Sequence, residues 1–277
     1  MLKETALSIT PIVTHLFNIS ITLGELPDEC ETARVSPIPK SGDHSDPRNH
    51  WPISLLSLLS KVLEKHIQHL LATLEKHIQH LLATHLEENH SISAQQWGFT
   101  HGKSTTGALL DVTDHWHKEL ELSHDICSVF FDYSKAFNSV PHLPLLHKLQ
   151  PYGAHPQILR WLANYITMKK QYVCVSGATS DTLPVSSGVP QGSVLAPMLF
   201  NIYINDITAV ALSDGSMTLF ADDMMLYRPI HTAADFKLIL TSYVIGLTII
   251  FWNSTLGSAS IWSSRGGRYG QLYLVRH

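Results

Sequence analysis

The chain has 277 residues, 44% hydrophobic and 15% charged, which excludes a disordered or fibrous chain and leaves room for one large domain or two small ones. With 19 Lys and Arg against 23 Asp and Glu, the net charge is −4, so bulk charge neither indicates nor excludes a nucleic-acid partner. Cys30, Cys127 and Cys174 lie far apart without a Cys-x-x-Cys pair, which points away from a zinc site or disulfide framework and fits a reducing compartment, nuclear or cytoplasmic.

No basic segment followed by an apolar stretch opens the sequence, so no signal peptide is expected. The most apolar window, Leu238 to Trp252, is shorter than the ~20 residues that span a bilayer. It reads as a buried helix or strand, and no membrane partner is expected.

Residues 1–30 carry helical periodicity, with Leu7, Ile12, Val13, Leu16 and Phe17 able to share a face before Gly24 and Pro27 end the helix. Residues 33–40 read as extended, with prolines suited to a sheet edge, and a polar turn follows from Ser41 to Asn49. Leu-Glu-Lys-His-Ile-Gln-His-Leu-Leu-Ala-Thr then occurs twice in tandem, at 63–73 and 74–84. Eleven residues are close to three helical turns, so the stripe Leu63, Ile67, Leu70, Leu74, Ile78, Leu81 continues with ~20° of slip and the helix grows by ~16 Å. His66, His69, His77 and His80 line up beside it, as a metal site or as one polar face copied twice. No carboxylate or cysteine completes a coordination set, which favours the copied face.

Further along, 126–133 reads as a buried strand ending in an acid. Residues 143–170 look helical with breaks at Pro151 and Gly153, and 171–186 looks like a hairpin turning at Gly177. Residues 194–209 read as a helix with Pro197 near its start, and 216–229 as strand, Asp-Asp turn, strand. Beyond Ile230 the pattern weakens.

Three acids therefore sit at strand ends: Asp132, Asp222 and Asp223. A carboxylate ending a hydrophobic strand is costly to bury unpaired, and neighbouring carboxylates repel unless a cation joins them. Hard oxygens suit Mg²⁺, and two such ions ~4 Å apart would activate a 3′-hydroxyl and stabilise a leaving pyrophosphate. Taken singly, Asp222-Asp223 reads better as a tight turn, and Asp132 equally as a helix cap. Ser187 to Pro197 adds a glycine- and proline-forced turn ahead of a helix, where backbone and the Gln191 amide can approach a flat base or sugar.

In order, Phe-Asp-Tyr-Ser-Lys-Ala-Phe (131–137), Gly-Val-Pro-Gln-Gly-Ser-Val-Leu (188–195) and Phe-Ala-Asp-Asp (220–223) resemble motifs A, B and C of reverse transcriptases, in the form found in non-LTR (LINE, jockey-like) retrotransposons. Val35 to Asp43, Pro52 to Ser57 with Lys61 and Glu64, and Gln96 to Phe99 with Lys103 to Thr106 resemble further blocks of the same family. The likeness covers roughly residues 1–230.

The resemblance implies an α+β fold: a right-hand polymerase palm and fingers, with an antiparallel palm sheet backed by helices and the thumb truncated or degraded. It implies an N-terminal helical segment over 1–30, fingers over 31–125, a palm over 126–229, and a degraded thumb start with an atypical tail over 230–277. It implies an RNA-directed DNA polymerase working with two Mg²⁺ ions, replaceable by Mn²⁺. Partners would be an RNA template, a DNA primer, dNTPs and an RNA-binding protein from the same element. Asp132, Asp222 and Asp223 would bind the metals, with the Tyr133 carbonyl as a further ligand. Phe137 would sit under the incoming sugar as a gate against a 2′-hydroxyl, although a core role is compatible. Gln191 would contact the nucleotide, Lys40 would lie in the fingers near triphosphate or template, and Arg48 would partly compensate for the family arginine that Trp51 replaces. Lys103 would meet template phosphate or stand as a solvated lysine.

The sequence departs from the family pattern at Trp51, where an arginine usually grips the triphosphate, at Asn138, where Asp is frequent, in the duplication, and in the tail. A non-catalytic nucleic-acid-binding relic is therefore the alternative reading. A viral replicase fits less well because it usually carries Gly-Asp-Asp. A maturase fits less well because no maturase segment follows the palm.

Overall fold

The computed structural model describes residues 6–82, 92–133, 135–152, 155–210, 216–230, 256–265 and 268–272. Helix α1 (Ala6–Leu23) stops at Gly24, whose amide donates to the Ser20 and Ile21 carbonyls. A single turn, α2 (Asp28–Glu31), leads into β1 (Thr32–Pro39), and β2 (His50–Leu55) runs back antiparallel to it. Then come α3 (Leu58–Leu82), α4 (Thr105–Glu121), β3 (Asp125–Tyr133), α5 (Ala136–Ser139), α6 (His142–Leu149) and α7 (Pro156–Thr167). The order closes with β4 (Lys170–Val175), β5 (Ala178–Thr179), β6 (Leu183–Pro184), α8 (Ala196–Ile204), β7 (Ser216–Phe220), β8 (Asp223–Ile230), β9 (Leu256–Arg265) and β10 (Arg268–Leu272).

The chain divides into two compact units, Met1–Ser91 with Pro141–Leu199, and Ile92–Val140 with Phe200–His277. In the first, the sheet order is β2-β1-β4-β5, with β6 also on β4. β1 is thus an inner strand, not the edge its prolines suggest. It pairs with β4 only over Thr32 to Val35, so Pro37 and Pro39 fall beyond that ladder, where a missing N–H costs nothing. β4 with β5 and β6 forms the hairpin expected for 171–186.

α3 runs unbroken from the first copy of the repeat into the second. Its buried stripe is Ser60, Leu63, Glu64, Ile67 and Leu71, so Leu71 rather than Leu70 faces inward, together with a carboxylate. His66 and His69 are exposed, and the side chains of His77 and His80 lie outside the described residues. α1 packs on α7, and only part of the face its periodicity suggests turns inward: Val13 and Phe17 are half-buried, whereas Leu7, Ile12 and Leu16 are exposed. The same side carries a polar anchor: buried Trp161 donates its indole N–H to Ser20 Oγ at 3.0 Å. A helix that is apolar nearly all round carries little directional signal, and one polar anchor decides its rotation.

The second unit holds an antiparallel sheet of order β10-β9-β3-β8-β7. β3 is its centre, which is why Ile126 to Val129 are buried on both faces. α4 backs the sheet, with Val112, Ile126 and Tyr227 forming a core patch and Trp116 and Met225 packed against it. Ser104 caps α4, its hydroxyl accepting from the Gly107 amide. The expected antiparallel sheet backed by helices is present. Parts of the tail beyond Ile230 supply β9 and β10, while Thr232 to Leu240 and the apolar window at 238–252 lie outside the described residues. Among the described residues no helix is long and apolar enough to cross a membrane.

Candidate active site

In the second unit, β7 and β8 form a hairpin in which Phe220 pairs with Asp223 and Ala221-Asp222 make the turn. Ala221 has φ +56°, a left-handed conformation that costs a residue with a Cβ about 1–2 kcal/mol and that two-residue hairpin turns require. Asp222 is half-buried and Asp223 exposed. β3 pairs with β8 from Asp125↔Ile230 through Phe131↔Met224. Asp132 follows the last pair of that ladder on β3, and Asp223 opens β8 at the same end of the sheet. On its other side, Asp132 pairs with Ser258 of β9, where the ladder shifts register before Tyr133. The three acids thus belong to one end of one sheet by backbone register. The Asp132 carboxylate lies outside the described residues. Among the described residues no group of three or more His, Cys, Asp or Glu side chains is placed to hold an ion.

Tyr133 is buried, and burial, with Tyr203 nearby, pushes its phenol well above the usual range, so it stays neutral. Phe137 is half-buried, stacked on Phe200 at 4.5 Å and met edge-on by Phe99 at 6.4 Å. It is held by packing as a core ring is.

The segment Gln95 to Phe99 lies along β7. The Trp97 amide donates to the Leu219 carbonyl at 2.8 Å, and the Leu219 amide to the Gln95 carbonyl at 2.9 Å. Lys103 donates to the carbonyls of Ala94 and Gln96 and sits over the Trp97 ring at 5.1 Å. Burial lowers its pKa, against the pull of Asp111. Its ammonium therefore holds this segment. Asn201, which the sequence reading passed over, donates from Nδ2 to the Gly98 carbonyl at 2.8 Å.

The remaining candidate residues lie in the first unit. Gln191 sits in the loop before α8, its carbonyl accepting from the Ser54 amide at 2.8 Å. Gly192 has φ +99°, and a Cβ there would stand 3.0 Å from the Ser54 carbonyl oxygen, so only glycine fits comfortably. Glu64 holds the same loop from the other side: it is fully buried, its Oε2 accepting from the Val194 amide at 2.8 Å and its Oε1 from Ser60 at 2.9 Å. Lys40 lies over the Trp51 ring at 5.6 Å, and Trp51 is 47% exposed. The Arg48 side chain lies outside the described residues.

Lys169 is buried, donates to the Cys30 carbonyl at 2.7 Å and lies over the Tyr165 ring at 4.5 Å. Burial pushes its ammonium from 10.5 down to about 8, against the pull of Glu64, Cys30 and Glu31. The unfolded lysine keeps its proton up to 10.5, whereas the folded one loses it above about 8, so this group adds stability as pH rises between those values. The difference in unfolding free energy between wild type and Lys169→Met should be flat below pH 8. It should then grow by on the order of 3 kcal/mol towards pH 10.5, the pKa gap at 1.36 kcal/mol per unit. Denaturant titrations across that range check it, and a flat difference throughout rejects the buried-lysine account.

Residues 38–241 match the family described as "Reverse transcriptase (RNA-dependent DNA polymerase)". Among curated relatives, the RNA-directed DNA polymerase from mobile element jockey of Drosophila funebris is 30% identical over 216 residues, 76% of this chain and 22% of that protein. The probable RNA-directed DNA polymerase from transposon X-element of Drosophila melanogaster is 30% identical over 230 residues, 80% of this chain and 24% of that protein. The chain thus spans about a quarter of the length of these relatives. Among solved structures, telomerase from Candida tropicalis in complex with a telomeric RNA fragment superposes with a TM-score of 0.60 at 11% identity, covering 94% of this chain and 45% of that one. The same organism's apo telomerase truncated from its C-terminal domain gives 0.61 at 10% identity, covering 90% of this chain and 53% of that one. At that identity the likeness establishes the fold, α+β and of the right-hand polymerase type.

Proposed function

Because the chain belongs to the reverse transcriptase (RNA-dependent DNA polymerase) family, we propose that it extends a DNA primer on an RNA template by two-metal nucleotidyl transfer from dNTPs. The observation that carries this reading is the backbone register that puts Asp132, Asp222 and Asp223 at one end of the second unit's sheet. The donor set fits Mg²⁺ or Mn²⁺, being carboxylate oxygens, with the Tyr133 carbonyl as an added ligand, and free of nitrogen or sulfur. Two ions held by these residues would supply Lewis acidity for activating a primer hydroxyl and stabilising a leaving pyrophosphate. The protein's own part is to hold its acids at fixed positions on a stiff sheet end, where they need no reorganisation as charge develops.

The other roles rest on the motif match. Gln191 is assigned to the incoming nucleotide, on a loop that Ser54 and Glu64 keep rigid. Lys40 and Arg48 are assigned to the triphosphate, and Phe137 to the sugar. Lys103, with its internal carbonyl partners, is assigned to supporting the Gln96 segment ahead of any template phosphate. An RNA-binding protein from the same element remains the proposed protein partner.

A second reading, a nucleic-acid-binding relic without catalysis, is favoured by Trp51, because an indole cannot replace a cationic fork on a phosphate. Losing one charge-assisted contact there costs ~2–3 kcal/mol, or a factor of tens to about a hundred in rate. The test is primer extension on poly(rA)/oligo(dT) with Mg²⁺ or Mn²⁺, beside fluorescence anisotropy of the same duplex. Extension supports the polymerase, and binding without extension supports the relic. Trp51→Arg should raise kcat/KM for dTTP by the same factor of tens to about a hundred. An unchanged value would place the defect away from the triphosphate.

A further inference from the structure

The turn that carries Asp222 does not hold itself. Its first residue, Ala221, is buried and left-handed without being glycine. Its amide points at one atom, Gln96 Oε1, at 3.0 Å, and the same oxygen accepts from the Gly98 amide at 2.8 Å. Two converging N–H donors require an acceptor with two lone pairs, which fixes the orientation of the Gln96 amide group. Gln96 is 1% exposed, and its Nε2 makes no hydrogen bond among the described residues, so the polar work of this side chain is that one oxygen. The segment bearing it is itself fixed, by the Leu219 backbone pairs, by Lys103 on the Gln96 carbonyl and by Asn201 on the Gly98 carbonyl.

We propose that Gln96 is a positioning residue for the metal-binding turn: its side-chain carbonyl stabilises the left-handed Ala221 and thereby sets where the Asp222 carboxylate stands. The inference rests on the reading of Asp222 as a metal ligand. A left-handed alanine is held only where its surroundings over-determine it, and a buried amide left without an acceptor costs ~1–3 kcal/mol. Removing the Gln96 oxygen withdraws the acceptor from two such amides at once. The turn then relaxes towards other conformations, and the acid moves with it.

The test is Mn²⁺ binding to the full chain, read by electron paramagnetic resonance, with folding followed by circular dichroism and thermal unfolding. Gln96→Met keeps the volume and loses the acceptor. It should weaken Mn²⁺ affinity by 10–100-fold, the usual effect of losing a group that orients a metal ligand. Gln96→Glu keeps an acceptor and should bind Mn²⁺ at least as well as wild type. Val112→Ala, a core truncation in the same unit, should lower the unfolding midpoint without moving Mn²⁺ affinity. A folded Gln96→Met with wild-type affinity overturns the proposal, and so does Val112→Ala weakening Mn²⁺ equally. If Gln96→Met fails to fold, Gln96→Glu decides, since a tenfold loss there overturns it and retained affinity supports it. Asp222→Asn separates the two levels: Mn²⁺ binding that survives this change defeats the metal reading itself, whereas its loss beside an unchanged Gln96→Met defeats only the positioning role.

Discussion

Asp222→Asn should abolish primer extension, lowering incorporation by at least ~10³-fold, or about 4 kcal/mol of barrier, while the unfolding midpoint moves little. Asparagine matches aspartate in shape and is as good a turn former, so the hairpin and its Ala221-Asp222 turn should persist. What is lost is a negative charge at the site where cations would gather. Asp222 is half-buried, so solvent only partly replaces that charge. Asp132→Asn should behave alike, since its backbone lies one step beyond the Phe131↔Met224 pair, at the sheet end where β8 begins with Asp223. The comparison is made in the Trp51→Arg background if the wild type is slow. Extension that survives Asp222→Asn undiminished would mean that the chemistry lies elsewhere.

Gly98→Ala should be nearly as damaging, and for a steric reason. A Cβ at this position would stand 2.3 Å from the Ala221 nitrogen, 2.9 Å from the Phe220 carbonyl carbon and 3.1 Å from the Ala221 Cα. All three are backbone atoms, so no side chain can swing aside. Either the Gln96 segment lifts off β7 or the Asp222 turn is pushed out. Overpacking of this kind costs on the order of 3 kcal/mol, and a displacement of about 1 Å at a reacting centre costs ~10²-fold in rate. The expected result is a lower unfolding midpoint together with a hundredfold fall in incorporation. Gly102→Ala, where nothing stands within 4 Å of the added atom, serves as the control and should show neither, apart from the strain of its own φ of +74°. A Gly98→Ala protein with normal stability and rate would show that the close approach is not maintained in solution.

The parts of the fold that were legible in the sequence are those that local chemistry dictates. The hairpin over 216–230 follows from two apolar runs around a turn former, although its turn is Ala221-Asp222 rather than Asp222-Asp223, which the Phe220↔Asp223 pair takes into the strands, and the break between α6 and α7 follows from Pro151. The extended stretch at β1 was legible too, but not its place inside the sheet, because a short second ladder leaves no local trace. The burial of Glu64 was not readable from its helix. It depends on the Val194 amide, 130 residues away, and a carboxylate at one position of an amphipathic helix usually faces water. The Gln96 block was legible as a motif but the role of its side chain was not, and Asn201 escaped altogether, as the partners of both are backbone groups brought close only by the fold. For Lys103 the sequence offered phosphate or solvent, and the fold supplied two carbonyls. The faces of α1 could not be ranked by hydropathy, because isoleucines and leucines surround the helix.

The continuous α3 carries a rule about which insertions such a chain survives. Adding eleven residues advances the azimuth by about 20° beyond three full revolutions, so the leucine stripe of the second copy stays in line with that of the first. Eight residues would have rotated everything downstream by about 80°, and nine by about 180°, carrying leucines into water. A helical rod forgives only insertions commensurate with its own pitch, and the doubled segment carries that filter in its length.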